Sequence, residues 1–144
     1  MSVAIDLAQG ITTVYAAAGA LTAVMPAARF YFGTNPGSPA FPYGTLAITK
    51  WKDSEFTAPA TTNASHVSYQ TATFTVYALQ PTDVELVIDL IRSAFRVEFT
   101  VSNSTMLEWW YDDDSSTEIP EKKDGDPLHE GRIVFNTALQ RTMP

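Results

Sequence analysis

The segment YQTATFTVYALQPTDVELVIDLIRSAF, residues Tyr69 to Phe95, decides the fold because its hydrophobic period changes in the middle. Up to Leu79 small, polar and aromatic residues alternate with a period of two, which is typical of a β-strand. From Thr82 onward the apolar residues fall three and four positions apart, which is typical of an amphipathic helix. The segment therefore predicts a long strand that passes directly into a helix. The strand face predicted to lie in the core consists of Ala72, Phe74, Val76 and Ala78.

The predicted helix starts with the sequence PTDVE. Thr82 and Glu85 are spaced to form a capping box, and Pro81 prevents the helix from starting earlier. Leu86 and Leu90 widen the apolar stripe, so we expect this helix to lie across a sheet with little of its surface exposed. The stripe itself consists of Val84, Val87, Ile88, Ile91 and Phe95.

The N-terminal region contains no charged residue between Leu7 and Ala28. It is too poor in large aliphatic residues for a membrane span, and it lacks the basic n-region of a signal peptide. Its apolar residues predict an amphipathic helix instead, which we expect Gly19 to end or loosen and Pro26 to stop. The helical repeat consists of Val3, Leu7, Ile11, Val14, Ala18, Leu21 and Met25.

The pattern of the rest of the chain predicts strands joined by polar connections. The predicted strands are Arg29–Phe32, Tyr43–Lys52, His66–Leu79, Arg96–Ser102, Thr105–Asp112 and Glu130–Arg141. The polar segment Asp53 to Ser65 predicts an exposed loop or the tip of an extended hairpin, and the residues around Asn103 predict a tight turn. Helices and strands do not alternate in βαβ order. We therefore predict a single α+β domain over residues 1–144, with a mainly antiparallel sheet and two helices packed on one face.

The charge of the chain is concentrated in one segment. The net charge is -7, and the stretch DDDSSTEIPEKKDGDP, Asp112 to Pro127, contains 7 acidic residues and 2 lysines, which leaves the domain body nearly neutral. An acidic segment on a nearly neutral body argues against a surface that neutralises nucleic-acid phosphates. Because its acidic residues repel one another, we expect Asp112 to Asp126 to form a mobile loop.

Few residues of the chain could carry chemistry. It has no cysteine, so disulfides and thiolate metal sites are excluded, and its two histidines, His66 and His129, stand outside any catalytic motif. An EF-hand starting at Asp112 would have Thr117 and Lys123 where glycine and glutamate are needed. We therefore expect no catalytic residue, no cofactor and no metal, and we expect the protein not to be an enzyme.

Strand parity predicts a candidate interface in the segment TMLEWWYD. Neighbouring side chains point to opposite faces, so Leu107, Trp109 and Tyr111 are expected together on one face, with Trp109 packed in the core. The opposite side carries a carboxylate, which marks it as exposed, and an exposed tryptophan there is typical of a subunit interface. A bulge that shifts the register is the alternative. The candidate interface residues are Met106, Glu108 and Trp110, together with Trp51 and Tyr43 from the strand Tyr43–Lys52.

The order of these segments resembles the tail-completion or tail-terminator proteins of long-tailed bacteriophages and prophages. The resemblance covers nearly the whole chain. It rests on the N-terminal helix, a Pro/Gly loop ending in FPYGTLAI, a strand ending in FTVYA before a helix, and the terminal strand HEGRIVFNTALQR. The long polar segment Asp53 to Ser65 and the acidic segment are where the chain departs from relatives.

The resemblance implies a minor tail protein of the virion that is assembled in the host cytoplasm. Its implied partners are further copies of the chain in a ring, expected to be a hexamer, the tail tube protein and the head connector, with DNA only passing through the lumen and no membrane contact. Such a ring stops the elongation of the tube. The alternatives are another head-tail joining protein of the neck or head-completion type, and a free-standing binding module whose acidic segment engages a basic partner.

Overall fold

The computed structural model describes residues 3–33, 40–55, 65–119 and 128–142. The helices are α1 (Val3–Ala17), α2 (Gly19–Val24), a 3-10 turn (Ala27–Arg29) and α3 (Pro81–Ala94). The strands are β1 (Phe30–Phe32), β2 (Tyr43–Glu55), β3 (Ser65–Ala78), β4 (Thr105–Ile119) and β5 (Leu128–Thr142). The predicted α+β class is confirmed. The first predicted helix is divided at Ala18, directly before Gly19, as the sequence indicates.

The five strands form one sheet in the order β1-β2-β3-β5-β4. The short strand β1 is parallel to β2, and every other pair of neighbours is antiparallel. Because β2, β3, β5 and β4 alternate in direction, β2 and β4 run in opposite directions at the two sides of the sheet. The sheet is therefore mainly antiparallel, as predicted.

The hydrophobic core lies between one face of the sheet and the helices. The predicted core face of β3 is fully buried, and the predicted stripe of α3 packs onto it. Phe74 contacts Phe95 and Phe135 through ring centroids 5.0 and 5.7 Å apart. The helix α3 lies so close to β5 that a methyl group at Gly131 would overlap Cγ1 of Val84. Helix α3 and strand β5 are thus in close contact at Gly131.

Three sequence predictions about α3 and its surroundings are wrong. The capping box does not form, because Pro81 is itself the first helical residue and Gln80 is the N-cap, without a side-chain hydrogen bond. Leu86 is 46% exposed and does not widen the buried stripe. Arg96–Ser102 pairs with no described strand. Val101 is buried and Phe99 packs on the core, so the segment is held by its side chains and not by a ladder of hydrogen bonds. The turn is confirmed by Asn103, whose φ is 61°.

The long strands extend further than the sequence indicates. Two predicted loops are therefore shorter: β2 continues to Glu55 and β3 begins at Ser65, and β4 continues to Ile119, which pairs with Leu128. The predicted mobile loop Asp112 to Asp126 is wrong for Asp113 to Ile119, which pair with β5, and Asp112 forms a bulge within the same strand. Its remainder, and residues 56–64 of the predicted connection, lie outside the described residues.

Candidate assembly interface

One face of the sheet carries no helix in the part of the chain that the structure describes. The core cluster of all three helices takes its sheet residues from the other face alone. We call the uncovered side the open face. Its described residues include Tyr43, Thr45, Ala47, Thr49, Tyr69, Thr71, Thr73, Thr75, Tyr77, Arg132, Val134, Asn136, Ala138, Glu108 and Trp110.

The open face is built from cross-strand rows of mainly uncharged side chains. In the middle row, Thr49, Thr71, Asn136 and Trp110 stand opposite one another on β2, β3, β5 and β4. The Thr71 hydroxyl donates a hydrogen bond of 2.7 Å to Oδ1 of Asn136, which satisfies both groups within the sheet. The row therefore offers an uncharged surface that needs no counterion in order to be covered.

Trp110 lies on the open face at the β4 side of this row. Its exposed fraction is 37%, which agrees with the strand parity, and Glu108 on the same face is exposed beside it. Trp51 lies on the β2 side at a bulge between Lys50 and Lys52, is 52% exposed and contacts the Tyr69 ring at 5.1 Å. The two exposed tryptophans thus stand at opposite sides of the sheet and at nearly the same level.

Met106 does not share the face of Trp110, and the predicted grouping of the two is wrong. A bulge at Leu107 shifts the register of β4, so Met106 stands opposite Leu139 on the helix-covered face and packs against the core. Leu107, predicted on the face of Trp109, lies at the bulge itself and is 44% exposed. Parity gave the correct side only for residues beyond the bulge, such as Trp109.

Tyr43 lies on the open face but is buried by its own chain. It stacks on Tyr77 at 4.9 Å with an interplanar angle of 24°, and the rings of Tyr31 and Phe41 also contact it. Burial, followed by the charges of Tyr77 and Glu130, raises the pKa of Tyr43 above its usual value. Only 9% of Tyr43 is exposed, so the aromatic cluster is already packed in the single chain.

A groove lies between α3 and β4. This groove has a volume of about 360 Å³ and contains an ion pair between Arg92 and Asp114, while Arg92 also contacts Asp89 at 2.7 Å. Arg92 further lies 5.4 Å from the Tyr111 ring centroid. The sequence does not indicate this pair, because the acidic pattern around Asp114 predicts a loop. The groove is lined by Val84, Glu85, Ile88, Asp89, Arg92, Asp114 and Ser115.

The described residues form neither a candidate metal site nor a candidate membrane-spanning helix. No three of their histidine, aspartate or glutamate side chains come together in a group that could hold a metal ion. None of their helices is long and apolar enough to cross a membrane.

Among the residues that the structure describes, the sheet has two long edges. β1 pairs with only three residues of β2, Gly44 to Leu46, so β2 is an edge from Ala47 to Glu55. β4 forms the other edge and, among the described strands, pairs with β5 alone, with bulges at Leu107 and Asp112. The sequence could not indicate these edges, because strand order depends on pairings between distant segments.

Comparison with known proteins gives a likeness of fold. No protein-family model matches the chain, and no curated protein sequence matches it. Among solved structures, a chain of the "Virion of native gene transfer agent (GTA) particle" is similar with a TM-score of 0.67 and 15% sequence identity. The likeness covers 96% of this chain and 98% of that chain, so the two folds correspond over nearly their whole length.

Proposed function

We propose that the chain is a virion structural protein, a tail terminator that forms a ring on the tail tube and joins it to the head connector. The observation that carries this proposal is the likeness to a chain of a gene transfer agent virion, which extends over nearly the full length of both chains. A match over a whole chain supports a common role better than a match over one motif. The segment order of tail-terminator proteins supports the same role.

The architecture fits an assembly role. A ring subunit needs a rigid body with two different contact surfaces, because each copy meets its neighbours through unlike patches. The two-layer body is rigid where α3 lies against β5, and the two edges of the sheet are unlike surfaces. The exposed Trp51 and Trp110 are the residue type that dominates subunit contacts.

The charge of the chain fits a channel for DNA. A basic lining would hold the phosphates, whereas a nearly neutral or acidic lining lets DNA pass. The net charge is -7, and the middle row of the open face is uncharged. We propose a ring of six copies that DNA passes through, assembled in the host cytoplasm, and we propose no enzymatic activity.

A neck or head-completion protein is the second candidate, because the fold likeness supports any joining part of a virion. The acidic binding module is less favoured, since Asp112 to Ile119 belongs to a paired strand. Deleting the gene from the genome that carries it, followed by electron microscopy of the particles, separates these roles. A terminator predicts tails of uncontrolled length without heads, and a neck protein predicts free tails of normal length. Normal complete particles would contradict both.

The deletion experiment needs matched complementation. The wild-type chain should restore tail length, and Leu86→Ala, a change at an exposed position of α3, should restore it equally. Trp110→Ala should restore it poorly because it removes an exposed aromatic side chain from the open face. If both variants complement fully, Trp110 has no role in the assembly.

A further inference from the structure

We infer that copies of this chain join by strand pairing, with the β4 edge of one copy beside the free β2 edge of the next. This inference rests on the proposed function and names the partner at the interface, which is a second copy of the chain. The two edges are the places in the described sheet where backbone groups of long strands have no neighbouring strand. Such edges are templates for pairing with another chain.

Strand direction makes the two edges compatible. β2 and β4 run in opposite directions within one copy. In a ring every copy has the same orientation relative to its neighbour. The β4 strand of one copy therefore meets an oppositely directed β2 strand of the next, and the five-stranded sheet continues as an antiparallel sheet from copy to copy.

The two edges also match in position. The row that contains Ala47 on β2 contains Asp113 on β4, and the row that contains Lys52 contains Glu108. Pairing at this level leaves β1 clear, because β1 covers β2 only up to Leu46. The bulge at Trp51 and the bulge at Leu107 lie one row apart, so both edges deviate from regular geometry at nearly the same level.

The side chains at this level are complementary. On the β2 edge the described charged side chain is Lys50, whereas the β4 edge carries Glu108, Asp112 and Asp113, so the contact brings a cation towards acidic residues. Like-charged edges, β4 against β4, would repel each other instead. This difference favours a head-to-tail contact over a symmetric dimer, and a head-to-tail contact forms a ring when the rotation between copies closes.

The contact also explains the two exposed tryptophans. Trp110 lies in the row of Thr49, next to the bulge that holds Trp51. Within one copy these tryptophans are separated by three strand spacings, roughly 14 Å. Pairing of β4 with the next copy's β2 brings one copy's Trp110 beside the other's Trp51 on the open face.

Cysteine cross-linking tests the pairing without background from native thiols, because the chain has no cysteine. Ala47→Cys and Asp113→Cys place exposed thiols in the same row but on opposite edges. At roughly three strand spacings they cannot bond within one copy, since a disulfide needs Cα atoms within about 7 Å. The control pair is Ala47→Cys with Leu86→Cys, which moves the second thiol to α3. Full-length double variants are oxidised mildly and run on non-reducing gels, beside a solution-mass measurement of the wild type.

The expected result is a ladder from dimer to a closed ring for the Ala47/Asp113 pair, with loss of most of the monomer band, and monomer for the control. A wild type that assembles while the pair gives no ladder overturns the strand pairing and leaves the ring proposal standing. A ladder without an upper limit supports the pairing and contradicts the closed ring. A wild type that stays monomeric, with no ladder, overturns both.

Discussion

The indole Nε1 of Trp109 donates a hydrogen bond of 2.6 Å to the carbonyl oxygen of Phe95, directly after α3. Carbonyl groups at a helix end have no partner within the helix, so this bond satisfies one of them from β4. The Trp109 ring also stacks on Phe135 at 4.8 Å. The edge strand is therefore fixed to the helix, and its outer side is held in a defined position for a neighbour.

We expect Trp109→Ala to reduce the free energy of unfolding by about 3 to 5 kcal/mol, because it removes a large ring from the core. Trp109→Phe keeps most of the packing and loses the hydrogen bond, so the loss should be smaller, with about 1 kcal/mol from the bond itself. Urea unfolding followed by circular dichroism measures both values. Equal losses for the two variants would show that the ring packing contributes little.

Trp110→Ala should leave the fold intact, with a change in unfolding free energy within about 0.5 kcal/mol. Its side chain is 37% exposed on the open face, so the expected effect is weaker assembly. Sedimentation velocity at several concentrations measures the assembly, and Leu86→Ala is the matched control for loss of an exposed apolar group. A Trp110→Ala chain that unfolds as easily as Trp109→Ala would make Trp110 a core residue.

Gly131→Ala tests the close contact of α3 with β5. A methyl group there would overlap Cγ1 of Val84 and lie 3.2 Å from Cγ1 of Ile88, so we expect a loss of about 1 to 3 kcal/mol. Adding Val84→Ala makes room for the methyl group. In a double-mutant cycle of denaturation experiments, the two changes together should therefore cost less than their sum. Additive losses would mean that α3 shifts away from the sheet without strain.

The burial of Tyr15 predicts that the folded protein loses stability at alkaline pH. Tyr15 is buried, its hydroxyl donates a hydrogen bond of 2.6 Å to the Met25 carbonyl, and burial raises its pKa well above the usual value of 10.0. A raised pKa in the folded state means that its contribution is complete below pH 10.0 and is lost as the pH rises further. Tyr15→Phe cannot ionise, so it should lose less stability than the wild type above that pH.

Two controls complete the alkaline experiment. Near neutral pH, Tyr15→Phe should be less stable than the wild type by about 1 kcal/mol, since the hydrogen bond is gone. Tyr111→Phe removes the hydroxyl of an exposed tyrosine, so its stability near neutral pH should match that of the wild type. Identical alkaline losses for Tyr15→Phe and the wild type would assign the effect to other groups, such as Tyr43 and Tyr77, whose pKa values burial also raises.

The sequence predicts the parts of the fold that depend on local burial. The period-two face of β3 and the three-four stripe of α3 were correct, because both elements bury one side against the same core. The N-cap of α3 was wrong because Pro81 is accepted as the first helical residue, where its missing N–H needs no partner. Arg96–Ser102 alternates like a strand, but alternation alone does not provide a neighbouring strand.

The candidate interface was predictable only in part. Parity placed Trp110 on an exposed face, but it misplaced Met106 because a bulge at Leu107 changes the register without any sign in the sequence. The acidic residues from Asp112 suggested repulsion, whereas β5 pairs with them and Arg92 neutralises Asp114. The order of the strands, and with it the two edges, depends on contacts between segments far apart in the chain.

The position of the chain in the virion is the most direct test of the proposed role. Electron cryomicroscopy of particles produced by the genome that encodes the chain should show this α+β fold in a closed ring of six copies, between the tail tube and the head connector. The sheets of neighbouring copies should be continuous through β4 and β2. Finding the fold in the capsid shell or at the distal tail tip, or finding no copy of it in the particle, would contradict the proposed role.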